Sequence, residues 1–180
     1  MENFASVLLW GLLGVILVFC CTALTGAPYV PTLQKEINHA FRKLYKLGKK
    51  DVLVDLGSGD GAVLLAASAL GAKSYGIEIN PFLVFISRWR LRKYTDAKVI
   101  LGNIFDFQFP DNTSVVYLFG ESRDILKFAE KIRKESERLK HPLYVISQGF
   151  ELPGQRYIKT ERAFFLYKID ANCRFGAADI

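Results

Sequence analysis

The residues best suited to chemistry fall in two short stretches. The first is Asp55-Leu-Gly57-Ser58-Gly59-Asp60-Gly61, and the second is Glu78-Ile79-Asn80. Glycines let a backbone turn sharply and approach a ligand closely. Where such a stretch leads from a strand into a helix of an open α/β sheet, the ligand lies beyond the carboxyl ends of the strands. The same glycines read as G-x-G-x-x-A with Ala62 last, so a dinucleotide stays open. Asp55 bears on that choice. Its carboxylate would repel a pyrophosphate, yet it suits a nucleoside that carries an ammonium and a sulfonium. Asp60 adds a second carboxylate to the loop. Glu78, about twenty residues further on, can accept both hydroxyls of a ribose, which either ligand would require.

The flanking pattern predicts elements that position these groups. Val52–Leu56 reads as a short apolar strand and Ala62–Leu70 as a buried, alanine-rich helix. Ser74–Glu78 is a second strand, and Pro81–Lys93 a helix that opens on proline. Lys98–Leu101, Ser114–Phe119 and Leu143–Gln148 supply further strands. Ser122–Lys140 is a long amphipathic helix, with Ser122 as its cap and Glu130–Lys134 as a supporting pair. Tyr157–Thr160 and Ala163–Ile169 complete the set as a hairpin. This alternation predicts an α/β fold, a Rossmann-like sheet of seven strands with helices on both faces and an antiparallel edge.

Ahead of this core the chain changes character. No charged residue occurs between Glu2 and Lys35, and Phe4–Leu24 is nearly all apolar. That length matches a helix crossing a hydrocarbon layer of roughly 30 Å. A cleaved signal would want a cation before the apolar run, and only Glu2 stands there. Lys35, Arg42, Lys43, Lys46, Lys49 and Lys50 follow the segment, so the positive-inside rule puts the remainder in the cytoplasm. Gly26–Pro31 is a linker, and Leu33–Leu47 an amphipathic helix ended by Gly48. The expected organisation is an anchor over residues 1–26, a linker and N-terminal helix over 27–50, and a catalytic core over 51–180.

Composition excludes several classes. The three cysteines, Cys20, Cys21 and Cys173, have no metal-binding spacing, and the two histidines stand apart, so no metal site is expected. Half of the chain is apolar, which argues against disorder. The net charge of +6 permits nucleic acid or anionic lipid as a partner. A second basic cluster comprises Arg88, Arg90, Arg92 and Lys93.

VDLGSGDG followed by YGIEINP resembles the first two motifs of class I S-adenosylmethionine-dependent methyltransferases. The resemblance implies that the loop Gly57–Gly61, with Ser58 and Asp60, lines the methionine part of the cofactor. It implies that Glu78, flanked by Ile79 and Asn80, holds the ribose, and that Asn103 and Ile104 reach the adenine. The apolar segment, PYVPT at Pro28–Thr32 and EINPFLV at Glu78–Val84 together resemble the family with sequence similarity 173. Those are membrane-anchored protein-lysine methyltransferases, some of them mitochondrial. By that resemblance Tyr29 and Thr32 help form the site and the acceptor is a lysine of a membrane protein; the anchor, with no RNA-binding appendage visible, makes nucleic acid an unexpected partner. The chain departs from the pattern after Gly61, where AVLLAA lacks an arginine, and at Phe119-Gly-Glu-Ser122.

A lysine acceptor must lose a proton before it can take a methyl group. Tyr29, Glu121 and Gln148 are the polar candidates near the acceptor, and none belongs to a diagnostic catalytic motif. Other readings remain: a lipid or quinone acceptor, RNA methylation through the basic clusters, a non-catalytic membrane scaffold, and a nicotinamide-dependent oxidoreductase.

Overall fold

β1 (Val52–Leu56) is buried along its whole length, as an apolar run covered on both faces should be. It lies between two parallel neighbours, β2 (Lys73–Glu78) and β4 (Val115–Phe119). β3 (Ala97–Leu101) pairs with β2, and β5 (Leu143–Gln148) with β4, again in parallel. β7 (Phe164–Ile169) runs antiparallel to β5 and carries β6 (Lys159–Glu161) on its outer side. The seven-stranded order is β3-β2-β1-β4-β5-β7-β6. The computed structural model describes residues 4–14, 34–119 and 124–173.

The chain divides into two units, Met1–Val30 and Pro31–Ile180. In the first, residues 4–14 form helix α1. Among the described residues no helix is long and apolar enough to cross a membrane. The expected spanning helix over Phe4–Leu24 is thus described only in its first part, and residues 15–24 lie outside the described residues.

In the second unit, helices cover both faces of the sheet. α2 (Gln34–His39) and α3 (Ala62–Ala69) pack on one face, where Ile37, Phe41 and Val63 meet Leu53, Val115 and Tyr117. α5 (Ile125–Leu139) covers the other, where Ile125, Phe128 and Ile132 meet Val54, Val116 and Val145. α4 (Pro81–Leu91) packs with Val84 and Leu91 against Leu64 of α3 and Val99 of β3.

Three expectations need correction. Leu33–Leu47 is not one regular helix: α2 passes into a π-helical turn over Ala40–Leu44. Tyr45 closes the turn, its N–H donating to the Ala40 carbonyl at 3.1 Å, and is itself extended. The wider turn keeps both Phe41 and Leu44 in the core while Tyr45 reaches Asp51 through its hydroxyl at 2.9 Å. The second correction concerns α5, which begins at Ile125 with Asp124 before it and no side-chain cap; Ser122 lies outside the described residues. Its expected pair is present, Lys134 reaching Glu130 at 3.9 Å, and Arg133 binds the same carboxylate more closely at 2.9 Å. The third is the hairpin. Its turn places Arg162 at φ 55 and pairs Glu161 with Phe164, so β6 starts at Lys159 rather than Tyr157.

Candidate functional site

The site is built where β1, β2 and β3 end. Asp55 is the penultimate residue of β1, level with Gly76 on β2 and Tyr117 on β4, so the three lie on the same face. Beyond it the chain bends over β2, and the amides of Gly57 and Ser58 both donate to the Ile77 carbonyl at 3.0 Å. Gly57 and Gly61 have φ of 87° and 80°, which other residues adopt only under strain. A side chain at Gly57 would meet nothing within 4 Å, so the loop is open on that side. Gly61 has the opposite surroundings, since a Cβ there would collide with Ser87 Oγ of α4.

Glu78, at the end of β2, is buried and braces this loop. Its Oε2 accepts the Gly59 amide and its Oε1 the Asn80 amide, each at 2.9 Å. Each carboxylate oxygen keeps a lone pair after accepting one amide, so a vicinal diol can be taken on without breaking either bond. The Gly102 amide donates to the Glu78 carbonyl at 3.0 Å and brings the end of β3 alongside. Asn103 follows there, exposed, its Oδ1 accepting the Phe105 amide at 3.1 Å. Ile104 is half-buried against the α5 face of the core.

Asp55 carries the electrostatic peculiarity of the site. It is buried, and its Oδ2 has no hydrogen-bond partner. Burial holds its carboxyl well above the ordinary range, and the charges of Glu78 and then Asp60 push it further. An unpaired buried carboxylate is costly, and a ligand cation placed beside it would remove that cost. The loop, the paired oxygens of Glu78 and the unpartnered Asp55 therefore fit a ligand with a ribose at one end and a cation at the other.

Asp60 plays a different part from Asp55. Its Oδ1 accepts the Ala62 amide at 3.2 Å, and its Oδ2 is paired with Arg90 of α4. Arg90 also donates to the Asp60 carbonyl at 3.0 Å, so the carboxylate tethers the loop to α4. Asn80 likewise acts locally, since its Oδ1 accepts the Phe82 and Leu83 amides at 3.0 and 3.4 Å and caps α4. Ile79 between them is half exposed.

Of the candidates near an acceptor, Gln148 is described. It ends β5 opposite Phe119 and Phe164, and its Oε1 accepts a hydrogen bond from the Tyr117 hydroxyl. Tyr29, Thr32 and Glu121 lie outside the described residues. Sequence reasoning missed Tyr117, Ser87, Arg90 and Gly76. A Cβ at Gly76 would come within 2.6 Å of the Ser58 side chain and 2.8 Å of Leu64. A glycine within a strand signals such a close approach, and YGIE carries that signal. Nothing local in the sequence pairs Arg90 with Asp60.

Comparison with known proteins gives the family. Residues 55–159 match the ANTKMT methyltransferase domain family, and the chain belongs to that family. It is similar to the human lysine N-methyltransferase of the ATP synthase C-subunit, 34% identical over 113 residues, covering 61% of this chain and 47% of that one. It is similar too to a protein-lysine N-methyltransferase of Saccharolobus islandicus, 30% identical over 133 residues, covering 71% and 79%. The chain spans about half the length of the mammalian relatives it matches. Among solved structures it resembles an RNA methyltransferase from Salinibacter ruber in complex with S-adenosyl-L-homocysteine. There the TM-score is 0.72 at 25% identity, covering 81% of this chain and 97% of that one. The fold is accordingly the Rossmann-like methyltransferase fold.

Proposed function

We propose that this chain transfers a methyl group from S-adenosylmethionine to a lysine side chain of a membrane protein. The observation that carries the reading is the buried, unpartnered carboxylate of Asp55 beside a glycine loop braced by Glu78. The lysine acceptor is supported by the relatives whose names state that chemistry.

When bound, S-adenosylmethionine supplies a methyl group made electrophilic by its sulfonium. Glu78 would accept the ribose hydroxyls, and Asp55 would face the ammonium of the amino-acid part. The loop Gly57–Gly61 would line that part, and the turn at Asn103 and Ile104 would border the adenine. Tyr29 and Thr32 belong to the same proposal through the family resemblance. What remains for the protein is to align the acceptor and exclude water. Gln148 at the end of β5 and the Tyr117 hydroxyl that reaches it from the middle of β4 are uncharged hydrogen-bonding groups. Such a lining favours the neutral amine over the ammonium, and only the amine has a lone pair to donate.

The apolar run Phe4–Leu24 completes the reading as a single membrane anchor, with the catalytic unit on the cytoplasmic side where the cations after Lys35 lie. It would put the enzyme beside a membrane-held substrate. A lipid or quinone acceptor would use the same anchor, and the likeness to an RNA methyltransferase gives RNA a place in the test.

The test is a labelling experiment. The detergent-solubilised protein is incubated with methyl-labelled cofactor, membranes and RNA, and the label is followed into protein, extracted lipid and nucleic acid. Label in protein, released on hydrolysis as methylated lysine, is the expected result. Label confined to lipid or RNA overturns the lysine acceptor. Absence of cofactor binding by calorimetry overturns the enzyme.

A further inference from the structure

The second basic cluster has no role in the site beyond Arg90. On α4, Val84, Ser87 and Leu91 are buried against the core. The opposite side presents Phe82, Phe85 and Trp89, at the i, i+3, i+7 spacing of one helix face. They are 50%, 69% and 60% exposed, an unusual degree for three large aromatic side chains together. The cations divide by direction. Arg90 is bound to Asp60, and Arg88 donates to the Val99 carbonyl at 2.9 and 3.1 Å. Arg92 instead lies over the Trp89 ring, 4.6 Å from its centroid, and Lys93 beside it is exposed. Residues 81–93 contain no carboxylate.

We infer that this face of α4 docks on an anionic lipid surface, as a contact separate from the N-terminal apolar segment. Aromatic rings with arginine and lysine at one end match the boundary of a bilayer, where the rings enter the acyl edge and the cations meet phosphate headgroups. A second copy of this helix offers the cations no acid to pair with, so charge complementarity favours the lipid. Phe82 lies four residues after Glu78, so the contact holds the rim of the cofactor site against the membrane surface.

The two tryptophans make the test direct, since one lies in each unit. The full chain carrying Trp10→Phe is reconstituted in phosphatidylcholine–phosphatidylglycerol vesicles with brominated acyl chains. Trp89 emission should shift to the blue and be quenched, and the quenching should weaken in phosphatidylcholine alone. Adding Phe85→Ser should lower the docked fraction, with the docking equilibrium falling about tenfold, while calorimetric cofactor binding in detergent stays intact. Unquenched Trp89 in anionic vesicles overturns the proposal. A blue shift without quenching overturns it too, because the face would then be covered by protein. The companion Trp89→Phe chain lets Trp10 report on the N-terminal segment. Unquenched Trp10 with quenched Trp89 would sink the anchor and leave the α4 contact standing.

Discussion

Glu78 holds Gly59: the carboxylate at the end of one strand accepts the amide of the loop leaving the next strand, at 2.9 Å. The other oxygen accepts the Asn80 amide, so the side chain organises the loop and the start of α4 together. Glu78→Gln turns one acceptor into a donor facing a donor. The ligand-free protein should lose about 1–3 kcal/mol, and cofactor affinity should fall about 10–100-fold. Denaturant melting and calorimetry measure the two effects, and unchanged affinity would displace the ribose from this residue.

Asp55 predicts a pH dependence of definite sign. Its folded carboxyl sits above its unfolded value, so its contribution to stability is complete below the ordinary carboxylate range. That contribution is lost as pH rises through the raised folded value. Asp55→Asn removes the titration. The substituted ligand-free protein should therefore gain on the parent as pH rises, by about 1.4 kcal/mol per unit between the ordinary and the raised value. Cofactor binding should follow the reverse trend. A ligand cation requires the carboxylate, so affinity in the parent should increase with pH across the same range. Calorimetry in buffers of different ionisation enthalpy should detect release of a proton. Asp55→Asn should abolish that release and weaken binding about 10–100-fold.

Gly61→Ala tests the approach of the loop to α4. The backbone there has φ 80°, and the new Cβ would strike Ser87 Oγ, with Leu91 at 3.2 Å. The expected loss is about 2–4 kcal/mol. Adding Ser87→Ala should recover part of it, because the collision goes while the backbone strain remains. Full recovery in thermal melts would mean that the left-handed conformation is not required.

Tyr117→Phe tests the acceptor side. The substitution removes the hydroxyl that donates to Gln148 Oε1 at the carboxyl end of β5 and leaves the ring contacts with Phe41 and Phe164 in place. Methyl transfer should slow about tenfold with cofactor affinity unchanged. A loss of cofactor affinity at an unchanged rate would assign Tyr117 to the wrong side of the site.

The strands and the glycine loop were legible because each rests on a short-range signal. Val52–Leu56 is apolar but for Asp55, and a glycine run follows it before a helical pattern. Contacts between distant segments were not legible. Asp60 reads from sequence as a second ligand carboxylate, and only the approach of α4 reveals Arg90 as its partner. Asn80 reads as part of the second motif, while its side chain caps the helix that Pro81 opens. The π-helical turn at Ala40–Leu44 had no signal either, since it answers the packing of Phe41 against Tyr117 rather than a local preference.

Trp89 and Arg90 are consecutive residues of α4, one turned outward and the other clamped to the glycine loop. A helix of eleven residues moves as a rod, so the two contacts, about 100° apart around its axis, act on a single lever. A load that tilts its outer face also pulls on Asp60, and a filled loop resists the tilt. By reciprocity, each contact must change the strength of the other by the same factor.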